Sequence, residues 1–172
     1  YLSIKDYNNS LNYYQKALNL IRLGDSPPEE FATFIYNVGN VYLHQEKVSL
    51  AKESFFASLS YLDQSNLKNT EILNNYINNY HQLATYYQEH NLDSALFYVQ
   101  KAENINKKYP YRITTTYNLF SKIFLSQGKY HNAKEYSLKS IKKSIEAYGE
   151  KSALLSISYN TLININIVNK DY

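Results

Sequence analysis

The sequence predicts an all-α fold, a solenoid of antiparallel helix hairpins. Three observations predict it. Only 4 Gly and 3 Pro occur in 172 residues, too few for a β-protein built on many tight turns. Aromatic residues reach 16%, with 20 Tyr against 7 Phe, and the Tyr ring packs while its hydroxyl stays at an edge; that suits half-buried seams between helices. Above all, two side-chain patterns alternate along the chain.

The first pattern reads bulky, two residues, bulky, small, two residues, aromatic. Ile35, Val38, Gly39 and Tyr42 fit it, as do Tyr80, Leu83, Ala84 and Tyr87, and then Tyr117, Phe120, Ser121 and Phe124. A fourth copy has Tyr159, Leu162 and Ile163, with Asn166 replacing the aromatic. The second pattern reads small, three residues, bulky, two residues, small: Ser10, Tyr14, Ala17; Ala51, Phe55, Ser58; Ala95, Val99, Ala102. Its last copy, Ala133, Ser137 and Ser140, lacks the bulky member, for which the adjacent Tyr136 is a substitute. Residues three and four apart share a helix face. The small member lets a neighbouring helix approach, and the bulky ones fill the adjacent groove. Each helix pair then buries a face against its sequence neighbours.

Helix signals follow the same punctuation. A truncated helix ends at Leu2–Lys5, and its partner runs from Tyr7 to about Leu23. Gly24-Asp25-Ser26-Pro27-Pro28 breaks the chain, with Ser26 as the expected cap and Glu29-Glu30 in a first turn. Helices then cover about 29–45, 48–64, 69–89 (capped by Asn69 or Thr70), 92–107, 112–127, 130–148 and 152–169, and Pro110 marks a break. Gly128 and Gly149 sit where helix C-terminal glycines belong. This gives a partial repeat over 1–23, repeats over about 29–64, 69–107 and 111–148, and a partial repeat over 151–172. Both ends fall inside a repeat, so a piece of a longer protein is expected. The last helix is apolar on most sides, and Leu155, Leu162 and Ile165 are expected to lack cover and to favour self-association.

The chemistry-bearing motifs of enzymes are not found. The four His form no His-Glu-x-x-His pair, no Gly-x-Ser-x-Gly elbow presents a nucleophile, and no glycine-rich phosphate loop occurs. With no Cys there are no disulfides and no thiolate metal sites. No metal, no cofactor and no catalysis are expected. The formal charge of +3 is spread thinly, and the densest basic stretch, Lys134, Lys139, Lys142 and Lys143, reads as a solvated helix face. Nucleic-acid binding is not expected. No apolar run approaches the roughly 20 residues of a membrane span. The compartment is left open, with the cytoplasm favoured.

The two alternating patterns resemble the tetratricopeptide repeat over essentially the whole chain. Its small anchors Ser10, Ala51, Ala95 and Ala133 are 41, 44 and 38 residues apart, against about 34 in the standard repeat. That length, and the string Tyr148-Gly149-Glu150 ahead of Ser152-Ala153-Leu154-Leu155 and Tyr159-Asn160, resemble the kinesin-light-chain-like variety. The closing proline of the standard repeat is missing from every copy. In this family the hairpins wind into a right-handed superhelical solenoid, which the resemblance implies here, and the first helix of each hairpin lines the concave surface. The resemblance therefore implies a groove lined by Thr33, Tyr36, Asn37, Asn40, Leu43 and His44; by Asn78, His81, Thr85, Gln88 and Glu89; by Thr115, Asn118, Lys122 and Ser126; and by Ile157, Asn160 and Asn164. An Asn amide offers donors and an acceptor to an extended backbone. The chain is also Asn-rich throughout, which explains much of the row as groove or solvent positions with no native ligand.

The implied function is a protein–protein interaction scaffold binding a peptide or helix of a partner, or another domain of the same protein, within a larger regulatory protein. The alternative is the sensing region of a histidine kinase, a caspase-like protease or a DNA-binding regulator in signal transduction, with the output domain elsewhere. A structural spacer is the third reading. The Asn-, Lys-, Ile- and Tyr-rich style suggests an AT-rich, bacterial genome.

Overall fold

The computed structural model describes residues 9, 12–16, 19, 26–66, 69–108, 112–150 and 154–169. The expected helix over Leu2–Lys5, the Gly24-Asp25 break, Pro110 and the turn at Lys170-Asp171-Tyr172 lie outside them. Among the described residues no strand occurs, and seven helices follow one another: α1 (Pro28–His44), α2 (Val48–Gln64), α3 (Thr70–Gln88), α4 (Leu92–Asn106), α5 (Ile113–Ser126), α6 (Tyr130–Tyr148) and α7 (Leu154–Asn169). Residues 12–16 are helical as well. The chain divides into two compact units, residues 1–82 and 83–172, with the division inside α3.

Local chemistry sets the helix ends. Pro27, not Ser26, is the N-cap of α1, and it makes no side-chain capping bond; Pro28 starts the helix, and Glu29 and Glu30 place charge in its first turn. Proline at the first helical position removes one of the orphan N–H groups, and the Pro27 carbonyl accepts from the Glu30 N–H at 3.1 Å, so the helix starts without a serine cap. Asn69 Oδ1 accepts from the Ile72 N–H at 3.0 Å, and Asn91 Oδ1 from the Ser94 N–H at 2.9 Å. The α1–α2 and α5–α6 turns share one geometry. The Lys47 N–H reaches back to the Tyr42 carbonyl and the Lys129 N–H to the Phe124 carbonyl, each at 2.9 Å. Both turns need a left-handed residue, which is Gly128 (φ 71°) in one and Glu46 (φ 60°) in the other. A side chain in that conformation costs about 1–2 kcal/mol. Glu46→Gly is therefore expected to stabilise the chain by about 1 kcal/mol, read as a rise in urea midpoint; an unchanged or lower midpoint counts against strain at this turn.

Each unit is held by neighbours in sequence. Within residues 1–82, α1 packs on α2. Within residues 83–172, α5 packs on α6 and α4, α6 packs on α7, and α5 also touches α7. Gly39, Ala51, Ala84, Ala95 and Ala133, the small members of both patterns, are all buried. The buried core of the second unit is Ala84, Ala95, Val99, Leu119, Phe120 and Ile123.

The residues that meet inside successive hairpins trade volume. A methyl added to Gly39 would stand 2.7 Å from Cε1 of Phe55, so the first hairpin pairs no side chain with a full ring. The corresponding residues are Ala84 and Val99 in the next hairpin, and Ser121 and Ser137 in the third. The Ser121 hydroxyl lies 2.8 Å from that of Ser137 and donates to the Ala133 carbonyl at 2.6 Å. The third hairpin recovers its missing bulk one residue earlier, as the sequence suggested. Tyr136 stacks on Phe120 at 4.5 Å and lies 5.7 Å from Tyr117 and 5.5 Å from Phe124. Tyr98 holds the same register on α4 and stacks on Tyr87 at 5.6 Å.

The last helix departs from expectation. Leu155 and Ile165 are not uncovered: they are 6% and 1% exposed, and Leu162 is half-buried. With Ser158 and Thr161 they lie on the buried face of α7, and the Ser158 hydroxyl sits 2.9 Å from Ser140 of α6. The exposed apolar residues are instead Ile157, Tyr159, Ile163, Ile167 and Val168. Tyr159, Ile163 and Ile167, spaced by four, continue the register that α5 turns toward α6 through Tyr117 and Ser121.

Candidate functional site

The first helices of the hairpins are α1, α3, α5 and α7, and the expected groove residues stand on them. In residues 1–82, Tyr36, Asn37, Asn40 and Asn78 are half-buried, His44 is exposed and His81 is buried. The Tyr36 ring tilts against Phe55 at 5.7 Å. The Thr33 hydroxyl donates to the Glu29 carbonyl at 3.0 Å and accepts from Asn75 Nδ2 at 3.0 Å. Asn40 Oδ1 accepts from Gln82 Nε2 at 2.9 Å. These two amide bonds join α3 to α1, so much of the polarity on this face is spent between helices.

In residues 83–172 the face divides. Asn118 is 6% exposed, and its Oδ1 accepts from the Ser158 hydroxyl at 3.0 Å. Gln88 Nε2 donates to the Ser126 hydroxyl at 3.2 Å, joining the end of α3 to the end of α5. Thr85, Glu89, Lys122, Ser126, Ile157, Asn160 and Asn164 are exposed, and Thr115 is half-buried. An open depression of about 920 Å³ lies where the hairpins turn, lined by the stretch from Gln88 to Asp93 and by Ser126, Gln127 and Lys129. Its walls carry both signs of charge, so it selects no single class of ion. Among the described residues no group of three or more His, Asp or Glu side chains could hold a metal ion, and no helix is long and apolar enough to cross a membrane.

Sequence reasoning missed Asn75 and Gln82, which bond across to the neighbouring first helix. A signal was present. Both lie 42 residues from their partners, close to one repeat length, and on the same helix as the expected row. Periodicity marks such positions without saying whether the partner is a ligand or the next repeat.

Residues 114–148 match the family model described as the tetratricopeptide repeat, a stretch that runs from the first turn of α5 to the end of α6. The match supports a tetratricopeptide repeat over that stretch, and the same alternation of small and bulky positions recurs in the other hairpins. No curated protein matches the chain.

Proposed function

We propose that the first-helix face of residues 83–172 binds an extended segment of a partner protein, as a scaffold or sensing region within a larger regulatory protein and without catalysis of its own. The observation that carries this reading is the exposure of Lys122, Asn160 and Asn164, on α5 and α7, alongside Thr85 on α3. Two amides and an ammonium can pair with backbone and acidic groups without a demand on sequence. Asn118 falls outside the contact set, because it is buried and bonded to Ser158. In residues 1–82 the same face presents Asn37, His44 and Asn78, with Tyr36 beside them.

The test is a displayed peptide library selected on the whole chain, followed by affinity measurement of a selected peptide. Asn160→Ala and Asn164→Ala are each expected to weaken binding by about 1–2 kcal/mol, the cost of a backbone group left unpaired. Wild-type affinity in Lys122→Ala/Asn160→Ala/Asn164→Ala would remove this face from the reading.

A further inference from the structure

One register position on the first helices is polar and fully buried at each junction between hairpins. It lies five residues before the small member of the first pattern and is filled by Asn79, Thr116 and Ser158, each 0% exposed. Opposite it on the preceding helix stand Ser58, Ala102 and Ser140, also 0% exposed. A crossing of two small apolar residues would pack as closely, so the polarity needs its own account.

The bonds supply it. At the first junction Asn79 Nδ2 donates to the Ser58 hydroxyl at 3.0 Å, and Ser58 donates to the Ala32 carbonyl of α1 at 2.8 Å. At the second, Ala102 has no hydroxyl, and Asn106, one turn further on, takes its place. Asn106 Nδ2 donates to the Thr116 hydroxyl at 2.8 Å, and Thr116 donates to the Arg112 carbonyl at 3.2 Å. At the third, Ser140 donates to the Thr114 carbonyl at 3.1 Å and lies 2.9 Å from the Ser158 hydroxyl, which lies 3.0 Å from the Asn118 amide. Ala32 and Thr114 are equivalent positions, seven residues before Gly39 and Ser121.

The third junction has a proton deficit. Two hydroxyls carry one proton each. The bonds to the Thr114 carbonyl and to Asn118 Oδ1 use both, which leaves none for the contact between Ser140 and Ser158. Turning the Asn118 amide by 180° exchanges its O and N, which have nearly the same shape. Nδ2 then donates to Ser158, Ser158 to Ser140, and Ser140 to the Thr114 carbonyl. The three junctions acquire one common order, from amide through hydroxyl to helix carbonyl.

We propose that this buried relay is a register lock repeated at every described hairpin junction, and that Asn118, through its Nδ2, is a member of it. A slip of one helical turn would leave each member buried without its partner, whereas an apolar crossing would tolerate the slip. Resting on the peptide-binding reading above, Asn118 and Ser158 are then positioning residues: they hold α7, with Asn160 and Asn164, in place against α5.

The experiment reads side-chain amide hydrogen exchange by NMR in the whole chain without peptide. The Asn79, Asn106 and Asn118 amide groups are expected to exchange at least about tenfold more slowly than those of Asn160 and Asn164. Ser158→Ala should bring Asn118 toward the exposed rate and weaken binding of a selected peptide while Lys122 and Asn160 remain. Asn118 exchange as fast as that of Asn160 in the unaltered chain, or unchanged by Ser158→Ala, overturns the lock. A second reading uses urea unfolding. Ser140→Ala and Ser158→Ala should each raise the unfolding constant about five- to tenfold, and the pair together by less than the product. Fully multiplicative effects also overturn it. Because exchange is read without peptide, slow amides in a chain that selects no peptide uphold the lock and reject the groove.

Discussion

Phe55→Ala is expected to destabilise the first unit by about 3–5 kcal/mol, among the largest effects of any single substitution in the chain. The ring is 1% exposed, lies over the bare backbone of Gly39 and touches Tyr36, so its removal opens a cavity that rigid helices cannot close. The pairing gives a sharper test. Gly39→Ala should gain about 1 kcal/mol of helix propensity and lose about 1–3 kcal/mol to overpacking against the ring. Phe55→Val alone leaves a void. Together they recreate the combination of Ala84 and Val99, both fully buried in the next hairpin. The double variant should therefore be more stable than the sum of the single losses predicts, by about 0.5–3 kcal/mol. Urea unfolding of the four proteins checks it, and strict additivity would show that the two positions do not share a volume.

Phe120→Ala should cost a comparable amount, about 3–5 kcal/mol, in the second unit. Phe120 is 2% exposed and is stacked on both Tyr136 and Phe124. Its loss also strips Tyr136 of its closest ring partner. Tyr136→Ala should then cost much less in a Phe120→Ala background than in the wild type, because aromatic pairs add about 0.5–1.5 kcal/mol beyond burial. Equal costs in both backgrounds would mean that Tyr136 does not supply the bulk missing at Ser137.

Helix identity and order were legible in the sequence because two independent signals coincided. The 3.6-residue periodicity of the apolar face ran between turn residues, so α2 and α6 have the expected limits at both ends. Residue size was legible in part: Gly39 fits the small slot and Ser137 breaks the bulky one, and the structure sets a full ring against the first and a second small residue against the other. The covered face of α7 was less so. Leu155, Ile165 and Ile163 are alike in a sequence, and only the Ser158 bond to α6 shows which side of the helix is turned inward. The groove was the least legible. An Asn at a recurring slot looks the same whether it faces a ligand, as Asn160 can, or pairs with the adjoining helix, as Asn40 and Asn118 do. Composition magnifies that ambiguity in a chain with so many amides.

Photocrosslinking puts the central claim, that the first-helix face is the binding surface, to its most direct test. A selected peptide carrying a photoreactive residue at each position in turn would be irradiated with the chain, and the adducts mapped by mass spectrometry. Adducts are expected at Thr85, Lys122, Asn160 and Asn164, on α3, α5 and α7. Adducts concentrated instead on the exposed residues of α4 and α6, such as Phe97, Lys101, Glu135 and Lys139, would contradict it.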